Sequence, residues 1–482
     1  MTSYTFLRTI GAVPMAVAAC LCGGCSVRTG LEPVEAPVPP ARFHQAQRLG
    51  DFVDARWWET FDDTTLNRLM TEVFDRNLSL QAALARFDQY SALARIANAN
   101  RLPQADIAAE ASRGASDAAA ADGSAGGRSP WYVDVTARYE VDLWGQLSAA
   151  RESAYAEMIA TREDARAVAL SISAQVAARY FTLVALRQQQ GLLRETIGFY
   201  EDNVAFVEGR YRRGTATSLD LYQAQTVLAD ARAQLSVVDG DVILTEHALS
   251  TLLGRYPETG WVTGADELPE ALPPLAPGLP ADLVVRRPDV RAARHAMEAA
   301  DRRAAEAVAR RLPGVSLTTL LTGAALDSPL PPAALVASAF LGVTQPIFRG
   351  GALKADEDRA RAAWGEALAA YRLALLAAFR DVEDALAQET SQLRTLGHLI
   401  DLEESSREAR RLATTQYLAG TTDYLQVIVS QATHLSASRE VISARLRLVG
   451  HRVQLAVALG GSWTDEALRR ARTNPIARTA AN

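Results

Sequence analysis

The chain has 482 residues, a length that normally means several domains, and 49% of them are hydrophobic, enough for a large core. Fifty Lys and Arg stand against 56 Asp and Glu, for a net charge of −6, and the basic residues are scattered, which excludes a nucleic-acid footprint. Only 7% is aromatic, while Ala, Leu, Arg, Glu and Gln fill the long segments, a helix-forming composition.

Residues 1–24 carry a basic start at Arg8 and an apolar run from Ile10 to Leu21. This reads as a secretory signal, too short to span a bilayer. The three cysteines are Cys20, Cys22 and Cys25. Leu21-Cys22-Gly23-Gly24-Cys25 resembles a bacterial lipobox, with Leu21 one position earlier than usual. The resemblance implies lipidation at Cys25, where a Pro-rich tether begins, and Ser26 after it implies delivery to the outer membrane. Val17-Ala18-Ala19-Cys20 is a second match, and an ordinary signal peptide with incidental cysteines is the plain alternative. Cleavage at Cys25 leaves no other cysteine, so core size and assembly must hold the fold.

Residues 25–50 contain Pro33, Pro37, Pro39 and Pro40 and are expected to form an extended tether. Trp57, Trp58, Phe61, Leu66 and Leu69 then open one helix, expected to run to about Asn100, with the Trp pair packing in a core. Gln104 to Ser116 and Trp131 to Trp144 read as strands, joined by a mobile Ala-, Gly- and Ser-rich loop. In the second of them Tyr132, Asp134, Thr136, Arg138, Glu140 and Asp142 alternate with Trp131, Val133, Val135, Ala137, Tyr139, Val141 and Leu143. That period of two means one wet face and one apolar face.

From Gln146 to about Arg213 no proline interrupts. Leu193, Ile197, Tyr200, Val204, Val207 and Tyr211 recur at alternating spacings of four and three, as do Val382, Leu386, Glu389, Leu393, Leu396 and Ile400. A seven-residue period supercoils a helix left-handedly against a partner. Such a helix is about 100 Å long and too polar to lie in lipid.

Tyr211, Gly214, Thr215, Leu219, Gln225, Leu253 and Gly254 recur 206 positions later as Tyr417, Gly420, Thr421, Leu425, Gln431, Leu459 and Gly460. Leu102-Pro103 recurs as Leu312-Pro313 at offset 210, and Leu143-Trp144 as Ile347-Phe348 at offset 204. A period this long marks a duplicated domain. The first structural repeat is placed at 51–268, a Pro-rich linker at 269–281, the second repeat at 282–461 and a tail at 462–482. In the second repeat Val315 to Leu321 and Leu335 to Phe348 take the strand positions. Leu283 to Ala293 opens a helix to about Arg311, with Pro288 in its first turn. A short helix is expected after Gly461 and disorder from Thr473 on.

Each Tyr-to-Gly motif reads as helix, Gly-Thr turn, helix. Gly214 and Gly420 can take positive φ and end the first helix. Thr215 or Thr217, and Thr421 or Thr422, can cap the next. The six histidines show no metal-ligand spacing, and there is no phosphate loop and no nucleophile elbow. No catalytic residue, cofactor or metal ligand is expected.

Four strands per chain cannot close a barrel, and an open sheet in lipid leaves backbone groups unpaired. Either several copies share one barrel, or a soluble sheet caps a helical bundle. The lipobox, Trp57-Trp58 with Phe61, the Arg286-Arg287-Pro288-Asp289 core and the two Tyr-to-Gln motifs resemble the TolC/OprM superfamily of outer-membrane factors, most of all its lipoprotein, NodT-type branch. The resemblance covers essentially the whole mature chain.

It implies an α+β membrane fold, internally duplicated. Three copies would form a 12-stranded outer-membrane β-barrel continuous with a long α-helical coiled-coil tunnel through the periplasm. It implies a passive duct for efflux or export, partnered by a periplasmic adaptor and an inner-membrane pump. Tyr211, Gly214, Thr215, Leu219, Tyr417, Gly420, Thr421 and Leu425 would mark the adaptor-contacting tips. Family members often place acidic gate residues just past the second tip. This chain has Gln426 and Val429 there, with Asp220 and Asp423 as the nearest acids, to be read either as gate residues or as helix N-terminal residues. The rival reading is a soluble periplasmic coiled-coil adaptor or scaffold.

Overall fold

A computed structural model of the chain describes residues 40–45, 56–111, 130–264, 267–269, 278, 280, 282, 286–326 and 334–473. The signal segment with Cys20, Cys22 and Cys25, most of the tether, the loop after Ala111, most of the Pro-rich linker and the tail beyond Thr473 lie outside these residues.

A 3-10 turn at Trp57–Phe61 precedes helices α1 (Thr64–Arg76) and α2 (Leu78–Ala99). The single helix expected here is broken at Asn77, whose backbone is extended at φ −64° and ψ 124°. Its side chain explains the break. Oδ1 accepts from Leu80 N at 2.9 Å, capping α2, while Nδ2 donates to Leu252 O at 2.8 Å.

Strands β1 (Gln104–Ala111), β2 (Pro130–Val141), β3 (Gly314–Leu326) and β4 (Ala334–Thr344) form one antiparallel sheet in the order β1-β2-β3-β4. β3 runs five residues beyond its expected end at Leu321. β4 stops at Thr344, so Gln345 to Phe348 leave the sheet, where Pro346 offers no N–H to a ladder. Register carries the alternation across the sheet. Ile107 pairs with Val135, Val135 with Leu321 and Leu321 with Ala337, all on one face. One residue along, Asp106, Thr136, Leu320 and Ser338 share the other face. Among the described residues the outer edges of β1 and β4 have no partner strand.

The remaining helices are α3 (Gln146–Arg212), α4 (Ser218–Leu252), α5 (Pro288–Ala309), α6 (Ala352–Leu418), α7 (Tyr424–Leu459) and α8 (Thr464–Thr473). α3 and α6 have 67 residues each. Both contain an 18-residue window apolar enough, by composition, to cross a bilayer, with mean hydropathy 1.4 and 1.2. In α3 56% of that window is buried, as in a core helix, against 17% in α6.

The chain packs as two units, each drawing on both halves. One holds Phe87–Thr161 and Ala292–Arg372, and with them the sheet. At its strand ends Trp144 Nε1 donates to Pro313 O at 2.8 Å, and Asp142 accepts from Leu147 N and Ser148 N at 3.0 and 2.8 Å to start α3. The counterparts of Leu143-Trp144, Ile347 and Phe348, are 93% and 87% exposed.

The other unit holds Pro37–Arg86, Arg162–Arg291 and the chain from Leu373 on. Its core gathers Trp58, Leu66, Leu69, Met70, Phe74, Tyr180, Leu249 and Trp463. The described part of the expected tether, residues 40–45, is docked: Phe43 is buried with Val382 and Leu455, and His44 N and Gln45 N donate to Glu383. The repeated Leu-Gly pair closes both hairpins against backbone. Gly254 and Gly460 have φ of 66° and 74°, and a Cβ there would meet Arg76 O at 2.6 Å and Arg286 O at 3.1 Å.

Candidate functional site

The two helical tips are built alike. Gly214 and Gly420 sit at φ 73° and 75°. Gly214 N donates to Tyr211 O at 2.9 Å, and Gly420 N to Tyr417 O at 3.0 Å. Thr215 N and Thr421 N donate to Arg210 O and Gln416 O, both at 2.9 Å. The same carbonyls accept from Thr215 Oγ1 at 3.1 Å and Thr421 Oγ1 at 3.0 Å. The repeated threonines therefore close the incoming helix, and neither caps the outgoing one.

The outgoing helices differ. Thr217 caps α4 in a capping box: Asp220 N donates to Thr217 Oγ1 at 3.2 Å, and Thr217 N to Asp220 Oδ2 at 2.9 Å. In the second copy Asp423, not Thr421 or Thr422, holds the N-cap position, and its side chain makes no cap bond. Asp220 and Asp423 are thus both helix N-terminal residues.

The motif tyrosines part company too. Tyr211 is 45% exposed, whereas Tyr417 is buried. Tyr417 packs on Tyr424 at 5.3 Å and Phe206 at 6.0 Å between ring centroids, with the Arg210 guanidinium 5.1 Å above its ring. Val207, Ala224 and Val427 complete this cluster, which joins the two hairpins at their tips. Burial pushes the phenols of Tyr424 and Tyr417 up, and at Tyr417 Arg210 opposes the shift. Leu219, Leu425 and Val429 are 63%, 56% and 49% exposed, and Gln426 is exposed beside them. Identity at the repeat could not disclose that one tyrosine is core and the other surface. The signal was Phe206 and Arg210, about two turns and one turn before the first glycine, which lack aromatic and basic counterparts at Leu412 and Gln416.

Away from the tips, ion pairs fix the helices. Arg287 reaches Asp289 at 2.6 Å and Asp381 at 3.1 Å, tying the start of α5 to α6. Burial lowers the Arg287 pKa, but its bonds to these carboxylates prevail and hold the guanidinium above its ordinary value. Buried Glu163 on α3 pairs with Arg166 at 2.5 Å and Arg291 at 2.8 Å, and Arg166 also holds Asp465 of α8 at 2.5 Å.

An open four-stranded sheet with one apolar face, joined to two helical hairpins of such length, defines a wall segment of an outer-membrane channel. The chain belongs to the outer membrane efflux protein family, whose model matches residues 69–255 and 279–461. It is similar to the outer membrane protein OprJ of Pseudomonas aeruginosa, 32% identical over 453 residues, 92% of this chain and 94% of that one. It is also 30% identical to the solvent efflux pump outer membrane protein SrpC of Pseudomonas putida over 456 residues, 92% of this chain and 96% of that one. The open-state crystal structure of the Neisseria gonorrhoeae MtrE outer membrane channel superposes with TM-score 0.79 at 26% identity, covering 91% of this chain and 98% of that one. The chain is an outer-membrane channel component of an efflux system, in a β-barrel and periplasmic-tunnel fold. The soluble-adaptor reading is set aside by that membership.

Proposed function

We propose that three copies of the chain form one passive duct, twelve strands in the outer membrane above a tunnel of paired helical hairpins. The observation that carries this is the open sheet: its apolar face is in register across all four strands while, among the described residues, both edges are unpaired. Lipid forbids such edges, so other copies must cover them. The sparsely covered apolar window of α6 likewise calls for a neighbour.

Substrates reach the duct from an inner-membrane pump through a periplasmic adaptor, which docks on the exposed tip residues around Tyr211, Leu219 and Leu425. The chain itself performs no catalysis and needs no cofactor. Cys25 carries the lipid anchor, residues 1–24 are removed, and the repeats divide at the 269–281 linker. Asp220 and Asp423 serve the helix starts, and Gln426 and Val429 line the aperture without an acidic ring.

Two measurements test the reading. Purified protein is expected to run as a heat-labile trimer and to conduct ions across a planar lipid film; a non-conducting monomer would overturn the duct. Gly214→Val and Gly420→Val force a β-branched residue to positive φ, at roughly 1–2 kcal/mol each. Trimers should persist while pump-coupled efflux falls, and unchanged efflux in both variants removes the tip assignment.

A further inference from the structure

The repeat supplies two matched couples of apolar residues at the foot of the sheet, one half-buried within the chain and one exposed. Below β2, Trp144 Nε1 donates to Pro313 O at 2.8 Å, and Leu143, Trp144, Leu312 and Pro313 are all half-buried. The partners come from different repeats: Leu143-Trp144 follows β2 of the first, and Leu312-Pro313 precedes β3 of the second. Their counterparts stand at the outer edges of the sheet. Ile347-Phe348 follows β4, and Leu102-Pro103 precedes β1. All four of these residues are exposed, Ile347 and Phe348 almost completely.

The register says what meets them. Val141 pairs with Val315, so Trp144, three residues on, comes level with Leu312, three residues back. The repeat offsets of 204 and 210, applied to that junction, set Phe348 level with Leu102. Within one chain β2 and β3 stand between β4 and β1, so the Leu102 that Phe348 meets belongs to a second copy. In the first repeat the same couple packs on protein, which favours a protein partner over a lipid surface.

We infer that Ile347 and Phe348 of one copy seat on Leu102 and Pro103 of the next, forming an apolar latch below the strand junction. The latch rests on the duct reading, in which β4 meets β1 of a neighbour. Phe348 has no ring N–H, so the latch lacks the hydrogen bond of its counterpart and holds by apolar contact.

The test uses full-length protein purified in detergent, with Phe348→Ala, Leu102→Ala and the double variant. All three change side chains that are exposed in the single chain, so each copy should fold as before. Mixing tagged with untagged trimers and recovering the tag measures exchange of copies. Each single variant is expected to speed exchange about tenfold or more, the scale of one buried apolar side chain. The double variant should fall well short of the product of the two, because both remove one shared contact. With p-benzoylphenylalanine at position 348, illumination of intact membranes should give dimer and trimer bands joined at residues 102–103. Unchanged exchange, effects that multiply in the double variant, or a photoproduct with lipid alone overturns the latch. A wild-type trimer indifferent to these changes sinks the latch and leaves the duct standing, whereas a monomeric wild-type chain sinks both.

Discussion

Glu389 breaks the apolar heptad of α6, and the structure supplies its reason: buried Arg452 of α7 donates to it. The two side chains are 12% and 4% exposed, so removing one strands the other's charge in a dry environment. Arg452→Met is expected to cost about 3–5 kcal/mol, whereas Arg452→Met with Glu389→Leu should recover most of the loss. Thermal dissociation of the two variants measures this directly, and equal losses would mean the pair is not coupled. His434, 18 residues before Arg452 on α7, has a shifted pKa. Its Nδ1 lies 3.3 Å from Ser406 Oγ of α6. Burial holds its pKa below the ordinary 6.5, reinforced by Arg410 and Arg407 of α6 and opposed by Glu403 of α6 and Glu195 of α3. Between the lowered folded value and 6.5 the folded chain binds fewer protons than the unfolded one. Stability is thus complete above about 6.5 and declines as pH falls below it, down to the folded value. Melting curves from pH 7.5 to 5 should show that decline, and His434→Gln should flatten it.

At the scale of elements, the duplicated hairpins look equivalent but are held differently. Thr217→Ala removes a capping box and should cost about 1 kcal/mol at the start of α4. Asp423→Ala removes no side-chain cap bond and should leave α7 nearly unchanged. Amide hydrogen exchange in the first turns of the two helices tells them apart; equal loss of protection would contradict the asymmetry. Period and punctuation made most of this architecture legible. The two long helices begin and end where proline and the Gly-Thr turns allow, and β2 follows its alternation. Asn77 stayed hidden because its cap on Leu80 N is a bond any asparagine can offer locally, while the Nδ2 bond that holds the side chain in place goes to Leu252 O, 175 residues away. The buried setting of Tyr417 was equally hidden, since it is made by Phe206 and Arg210 from the other repeat. Threonine chemistry at the tips was ambiguous in sequence, because a hydroxyl can serve the helix behind it or the one ahead.

For the whole molecule the repeat predicts how copies join. β1 and β3 begin at Gln104 and Gly314, and β2 and β4 at Pro130 and Ala334, which preserves the offsets of 210 and 204. Within the chain, the second strand of one repeat pairs with the first strand of the next, β2 with β3. The equivalent junction is β4 with β1 of a neighbouring copy, and three such junctions close twelve strands. Tyr139 pairs with Leu317 inside the chain, and their counterparts at those offsets are Val343 and Ile107. Both are exposed, at 66% and 75%, and both lie on the apolar face. The β3–β4 hairpin is displaced by two residues from β1–β2, since Gln104 pairs with Arg138 but Gly314 with Thr344, and a shift of two keeps the face. Val343→Cys with Ile107→Cys should therefore give an oxidation-dependent ladder up to trimer on denaturing gels. Val343→Cys with Ala108→Cys, whose side chain lies on the opposite face, should give none. Cross-linking in the second pair but not the first would mean that copies meet in another register, and an intramolecular product in either would mean that one chain closes on itself.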